Sequence, residues 1–281
     1  MKVALLLIGG LGLLVAGALL YGRWRWAADT RALRSELAAA ALATPPDRFR
    51  LEQTAGVPAP VQRYFRAVLR EGQPRYRSAR IQQRGEFLVR PAEAGWGPFT
   101  ASEDLTARPP GFLWDATIRM GPGLSVRVRD GLVNGQGFML GKAAGLITVV
   151  SMGATPEIAA GAMHRYLAEA VWCPTALLPS EALRWSPVDD STARATVTLG
   201  PVSVSLDFFF GADSLVYRIY AADRRRDEHG VLVPRPWQGL WSTYEVHEGM
   251  RIPVVGMVEW LLPTGPQPYW RGRVTAATYR E

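Results

Sequence analysis

Catalysis or metal binding needs side chains of the right type at spacings that let them converge, and this chain offers few. Its three histidines are His164, His229 and His247. None stands in an H-x-x-x-H pair, and Cys173 is the single cysteine, so neither a zinc centre nor an intramolecular disulfide is expected. No acidic cluster has the calcium-loop pattern. No serine lies in a G-x-S-x-G elbow, and no glycine loop precedes a phosphate-binding helix. Asp189 and Asp190 are adjacent, so on a strand they would point to opposite faces and could not share a proton. The stretch Pro187-Val188-Asp189-Asp190-Ser191 reads instead as a hairpin turn. Glu169 is the acid best placed for chemistry, because the apolar stretch leading to Trp172 would raise its pKa by burial. Arg165, one helical turn earlier, is its competing ion-pair partner. The expected assignment is therefore no catalytic residue, no metal and no cofactor, with hydrolase or isomerase chemistry at Glu169 as the last of three readings.

The aromatic content carries more. There are ten tryptophans, and most fall in the body of the chain: Trp96, Trp114, Trp172, Trp185, Trp237, Trp241, Trp260 and Trp270. On a curved sheet, inward-facing aromatics either line a cavity for an apolar ligand or fill the core. Trp114, Trp172 and Trp260 have the most apolar neighbours. With Met163 and Leu167 on the helix before Trp172, they are the expected lining residues. Arg224, Arg225 and Arg226 open a run that continues Asp227-Glu228-His229-Gly230 and reads as a charged hairpin tip. Its bland role is a solvated turn. Its functional role is contact with lipid headgroups, worth roughly 1 kcal/mol per arginine near an anionic surface.

The elements that must position these residues begin with an apolar run. Val3 to Tyr21 contains no charge, and at about 1.5 Å per residue it makes a helix of roughly 28 Å, the thickness of a bilayer's hydrocarbon core. Ala16-Gly17-Ala18 resembles a signal-peptide cleavage site. The run nevertheless continues past it, and Trp24 and Trp26 alternate with Arg23 and Arg25 as in an interfacial belt. A retained single-pass anchor is the favoured reading, holding the protein in the inner membrane with its domain on the extracytoplasmic side. The arginines after the run argue for the opposite orientation. Asp29 to Leu42 is alanine-rich and helix-prone, ends at Pro45-Pro46, and reads as a stalk.

Val57 to Arg70 follows with Val61, Tyr64, Phe65, Val68 and Leu69 at helical spacing. From about Arg75 the period becomes that of strands: Ala79 to Val89, Pro98 to Ala107, Gly111 to Met120, Leu124 to Arg129 and Leu132 to Gly141. The turns between them carry Pro-Ala, Pro-Pro-Gly and Gly-Pro-Gly. Thr155 as N-cap, Pro156 and Glu157 then open a helix that runs towards Trp172. Strands resume at Leu183 to Val188, Ala193 to Leu199, Val202 to Phe210, Leu215 to Ala222, Gly239 to His247, Met250 to Leu262 and Tyr269 to Tyr279. The expected organisation is an anchor (1–26), a helical stalk (27–55) and a β domain (56–281).

The net charge of +7 is spread thinly. Of 32 basic residues all but Lys2 and Lys142 are arginines, interleaved with acids. No nucleic-acid signature appears, and a solvated surface or anionic lipid is the expected counterpart.

Several stretches carry a resemblance: VPAPVQRYFRAVL (57–69), RGEF (84–87), PFTASEDLTARPPGFLWDATIRM (98–120), MHRYLAEAVWCPTALLP (163–179) and MRIPVVGMVEWLLPTGPQPYWRGRV (250–274). From about Val57 to Tyr279 the chain resembles an uncharacterised family of bacterial membrane-anchored proteins. The resemblance implies a LolA-like fold: mainly β (α+β), a strongly curved antiparallel sheet or half-barrel with covering helices, here behind one N-terminal transmembrane helix. It implies a concave face that holds acyl chains or another apolar ligand, with a lipid or lipoprotein as the expected partner, and it brings no catalytic residues. LolA-type carriers are usually soluble periplasmic proteins or lipoproteins, so the helical tether expected here points to local capture or hand-off. The expected function is binding of a lipid, an acylated partner or another hydrophobic ligand by burial of apolar area, at roughly 25 cal/mol per Å², with the Pro156 to Trp172 helix as lid. The second reading is an envelope interaction domain with a filled core. Oligomeric state is not assigned.

Overall fold

The computed structural model of the chain describes residues 2–43, 45, 47–90, 95–121 and 123–281, with the side chains of 2–6, 8, 89 and 90 outside that description. The turn residues expected at Pro46, Pro91-Ala92 and Pro122 also lie outside it.

The described residues include thirteen strands in one sheet. They are β1 (Ser78–Arg90), β2 (Gly95–Thr106), β3 (Gly111–Gly121), β4 (Leu124–Val133), β5 (Gln136–Ala143), β6 (Ile147–Met152), β7 (Leu183–Pro187), β8 (Thr192–Leu199), β9 (Val202–Phe210), β10 (Val216–Glu228), β11 (Val231–His247), β12 (Met250–Leu262) and β13 (Gly265–Arg280). β1 to β6 form one meander and β7 to β13 a second. The two join where β1 pairs antiparallel with β13. The expected curved antiparallel half-barrel is present, and alternation explains its sidedness. On β2, Phe99, Ala101, Glu103 and Leu105 turn inward and the residues between them face out.

Two expectations about strands need correction. The single strand read over Leu132 to Gly141 is split by a hairpin at Asn134-Gly135, both at positive φ, the backbone that a tight hairpin demands. The run from Arg224 is not a hairpin tip. β10 continues through Glu228, and only His229-Gly230 turn, again both at positive φ. A run of charged residues at the end of β10, beyond its pairing with β9, carries none of the apolar alternation that marks a strand.

The curl has a local cause. Gly85, Gly272 and Gly256 stand side by side on β1, β13 and β12, where the inner face is too crowded for side chains. A Cβ on Gly85 would lie 2.1 Å from the Arg271 carbonyl oxygen, and one on Gly256 would lie 2.3 Å from the Trp241 ring. Gly85→Val is therefore expected to lower stability by about 1–3 kcal/mol through overpacking. A thermal melt unchanged from wild type would show that the sheet can open there.

Helix α1 (Lys2–Leu42) is a single 41-residue element in two environments. Its first half projects from the domain with its described apolar side chains exposed. Among the described residues no helix is long and apolar enough to cross a membrane. Its second half lies along the convex face of the sheet, burying Trp26, Thr30, Leu37 and Ala41 on one stripe. Leu37 meets Leu113 and Val133, and Arg34 pairs with Asp104 at 2.7 Å. The stretch read as a stalk thus rests on the domain. The interfacial-belt reading is corrected for Trp26, which is 2% exposed while Trp24 is 61% exposed. Residues two apart on a helix point roughly 200° apart, so the pair cannot share a face. The Trp26 indole donates to Asp115 at 2.9 Å, and the Arg129 guanidinium sits 4.1 Å from its ring centroid.

Helix α2 (Ala59–Val68) buries Val61, Tyr64, Phe65 and Val68 against β8 and β12, as its spacing requires. Helix α3 (Pro156–Glu169) is capped by Thr155, whose hydroxyl accepts from the Ile158 N–H, and a short 3-10 turn continues it through Trp172. α3 links the two edges of the sheet and touches β4 and β5 on one side and β8 to β10 on the other. The sheet therefore curls around it.

Candidate functional site

The inner flank of α3 brings ionised groups into an aromatic core. Arg165 donates to Glu169 at 2.7 Å and to Asp130 on β4 at 2.6 Å. Its guanidinium lies 4.9 Å from the Phe112 ring centroid and 5.0 Å from that of Trp114. Two carboxylates and two ring faces hold the cation in place; burial lowers its pKa, and the neighbouring carboxyl groups, Glu169 first, outweigh burial and raise it.

Behind them lies a group that the sequence reading missed. Glu103 on β2 is 0% exposed. One of its oxygens takes a hydrogen bond from the Gln83 amide at 2.9 Å, and Gln83 in turn accepts from the Trp114 indole at 2.9 Å. Its other oxygen has no partner except the Glu169 carboxyl. Burial, and then the charge of Glu169, push the Glu103 carboxyl well above its ordinary value, while Arg165 opposes them. Glu103 therefore keeps its proton and shares it with Glu169. The available signal was its place on β2, where it occupies the inward phase between Ala101 and Leu105. A carboxyl in that phase must be neutral or paired.

A cavity of about 90 Å³ lies against this cluster, walled by Phe87, Trp114, Met139, Arg165, Glu169, Trp172, Arg224, Trp237, Trp241, Tyr269 and Trp270, among others. At about 30 Å³ per molecule it has room for about three waters. Ligand pockets usually enclose about 300 Å³ or more, so the domain's own rings largely fill the concave face. A second space of about 110 Å³ shares Asp130, Met139, Arg165 and Arg224 with the first. It opens outward past Phe138, Met152, Ile158 and Leu232. Together they form a narrow passage from the edge of α3 to the centre of the sheet.

The expected lining residues divide. Trp114 and Trp172 are in the cavity wall. Met163 and Leu167 are fully buried in the core and are not part of that wall. Trp260 stacks on Tyr269 just outside it, with ring centroids 6.0 Å apart. Trp237, Trp241 and Trp270 complete the wall, and were not singled out because their sequence neighbours are mixed. Most of the indoles are tied down: Trp172 donates to the Pro253 carbonyl at 3.0 Å, and Trp237 to the Tyr269 hydroxyl at 3.0 Å.

Among the expected headgroup arginines, Arg224 faces inward. It sits over Trp237 at 4.5 Å and Trp260 at 5.3 Å, and donates to the Tyr269 hydroxyl at 2.9 Å. Arg226 is tied to Gln267 and Glu228, and Arg225 lines the passage mouth. The Arg224 Nε and the Trp241 Nε1 are buried donors without a partner among the described residues.

His164 faces away from this cavity into a surface pocket beside Arg194 and Asp207. Burial, then the charge of Arg224, lowers its pKa to about 4. A wider trough on the convex face is open to solvent, and its Arg271 and Arg273 are already paired with Glu86 and Glu245. Among the described residues no group of three or more His, Cys, Asp or Glu side chains converges as a metal site.

A family model of unknown function, DUF6920, matches residues 55–279. The chain belongs to this family. The match spans both meanders and α3, the region over which the sequence resemblance was drawn. No curated protein sequence matches. Among solved structures, a domain assigned to outer membrane lipoprotein sorting from Vibrio parahaemolyticus shares 7% identity over 72% of this chain and 85% of its own, with a TM-score of 0.39. A LolA superfamily protein from Nitrosomonas europaea shares 12% over 73% and 86%, with a TM-score of 0.30. A β-barrel-like DUF1849 protein from Brucella abortus shares 9% over 73% and 99%, with a TM-score of 0.23. No residue of the DUF6920 site is carried over from these structures.

Proposed function

We propose that this DUF6920 protein is a membrane-tethered binding domain for an acyl amphiphile. The apolar end enters the tryptophan-lined cavity and the head engages Arg224. The observation that carries this reading is the pair of unpartnered buried donors, Arg224 Nε and Trp241 Nε1, on residues that wall the same apolar cavity. Buried polar groups normally have partners. Two N–H donors in an aromatic wall match a carboxylate, ester carbonyl or phosphate oxygen attached to an apolar chain. Glu103 and Glu169 are engaged with each other and with Arg165, so the carboxyls serve the site's structure and no chemical step is assigned to them.

Entry requires movement. The cavity of about 90 Å³ cannot take an acyl chain until the α3 flank and Met139 shift, which makes α3 the lid. The Val3 to Tyr21 run, ahead of the docked half of α1, is the tether that keeps the domain at its lipid source.

The test uses the full chain in its native membrane and an acyl phospholipid bearing a photoreactive diazirine in the chain. Crosslinks are expected in β5, α3 and β11, and Arg224→Gln should reduce them about tenfold, since a hydrogen bond from a charged group contributes about 1.5–3 kcal/mol. The small cavity favours a second reading, an envelope interaction domain with a filled core. Crosslinks confined to α1 would decide for that reading and against the carrier.

A further inference from the structure

The end of the domain where α1 leaves it carries apolar side chains that stand exposed among the described residues. Gly22 is buried against the turn between β5 and β6, where an added Cβ would lie 2.5 Å from the Leu146 side chain and 3.1 Å from the Gly145 carbonyl. Just past that contact, Ile147 is 69% and Val149 is 56% exposed on β6, an edge strand of the sheet. Leu124, also exposed, is the first residue of the neighbouring β4, which the Ala144 N–H joins through the Ser125 carbonyl at 2.9 Å. Other exposed large apolar residues of the sheet, such as Val188 just after β7 and Val231 and Val246 near opposite ends of β11, stand apart from one another.

An exposed edge strand bearing branched apolar residues invites pairing and aggregation unless something covers it. The surroundings indicate the cover. On the helix, Tyr21 and Trp24 stand exposed with ring centroids 6.0 Å apart, beside Arg23 and Arg25. Arg127 reaches the same turn, its Cδ within 3.7 Å of a Cβ built on Gly145. Aromatic rings, arginines and a few aliphatic tips around the exit of an apolar helix match a bilayer surface, where each type finds its own depth.

We infer that the β5–β6 hairpin, together with Leu124, docks into the surface of the same anionic bilayer that holds α1. This rests on reading α1 as a tether, and it fixes what a tether alone leaves free: the tilt of the domain. The half-barrel stands with its β6 edge towards the lipid. β6 then leads from the contact at Ile147 to Met152 at the mouth of the passage, roughly 17 Å along the strand. An amphiphile leaving the membrane has a short apolar path to the cavity.

The experiment places a nitroxide at Ile147→Cys, Val149→Cys, Val15→Cys or Val231→Cys in the full chain, reconstituted in phosphatidylethanolamine–phosphatidylglycerol vesicles. Cys173 stays unlabelled, because it is buried and burial pushes its thiol up to about 11. The ratio of oxygen to nickel-complex accessibility is expected to be several-fold higher at 147 and 149 than at 231. Replacing phosphatidylglycerol with phosphatidylcholine should lower it at 147 and leave Val15 unchanged. Ratios at 147 and 149 equal to that at 231 overturn the inference, and a ratio at 147 indifferent to lipid charge overturns its anionic part. Val15 reports the tether separately. Lipid exposure at Val15 with water at 147 refutes the docked hairpin alone, whereas water at Val15 refutes the tether.

Discussion

Replacing Arg165 with methionine is expected to destabilise the fold by about 3–5 kcal/mol, the cost of leaving buried charges uncompensated. Arg165 is the cation bonded to both Asp130 and Glu169, and the protonated Glu103 leans on the same pair. Methionine keeps much of the apolar contact with Phe112 and Trp114, so the loss isolates charge from packing. The thermal midpoint of the full chain should fall by on the order of 10 °C. Arg165→Lys should fall between, keeping the charge and losing the planar fork that reaches two acids at once. A methionine variant as stable as wild type at neutral pH would mean that water reaches these carboxylates, and the site would then be an open cleft.

The second large effect belongs to Glu103, and its sign is opposite. Its carboxyl is raised well above the ordinary value of 4.5 by burial and by Glu169. Below that ordinary value both the folded and the unfolded chain hold the proton. Above it the unfolded chain releases the proton while the folded chain keeps it. Stability then falls as pH rises, by about 1.4 kcal/mol per unit, until the folded carboxyl itself titrates. Glu103→Gln removes this slope, and its amide can still accept from Gln83 and donate to Glu169. The variant should match wild type near pH 4 and exceed it increasingly as pH rises, until the folded carboxyl itself titrates. Taking the difference between the two proteins cancels the opposite contribution of His164, which favours the fold less as acid is added below its ordinary range. A constant difference across pH would show Glu103 ionised in the folded state, and the shared proton would have to be abandoned.

How much of this was legible in the residues depends on the range of the interaction. The apolar run at the start, the amphipathic α2, the Thr155-Pro156-Glu157 start of α3 and most strands follow from patterns a few residues long. Such patterns act through periodicity, capping and turn geometry wherever the segment ends up. Misreadings arose where two local signals competed. Asn134-Gly135 is a turn inside an apolar run, and Arg224 to Glu228 is a strand written in charges. The Glu169–Arg165 ion pair was also readable, because one helical turn separates its members.

The site itself was decided by the curl of the sheet. Gly85, Gly272 and Gly256 line up only because β1 closes against β13, and that closure carries Gln83 and Glu103 beneath α3. Trp237, Trp241 and Trp270 come from late strands to meet Trp114 and Trp172, and together they leave about 90 Å³, so the rings fill most of the space they could have lined. Whether aromatic residues line a space or fill it is a matter of how side chains from distant strands divide one volume, and no spacing along the chain encodes that. The same holds for Trp26 and Leu37, whose burial depends on a convex surface built by β2, β3 and β4. Local chemistry set what each segment is, and long-range packing set which side chains are left with unpaired donors, shared protons and exposed edges.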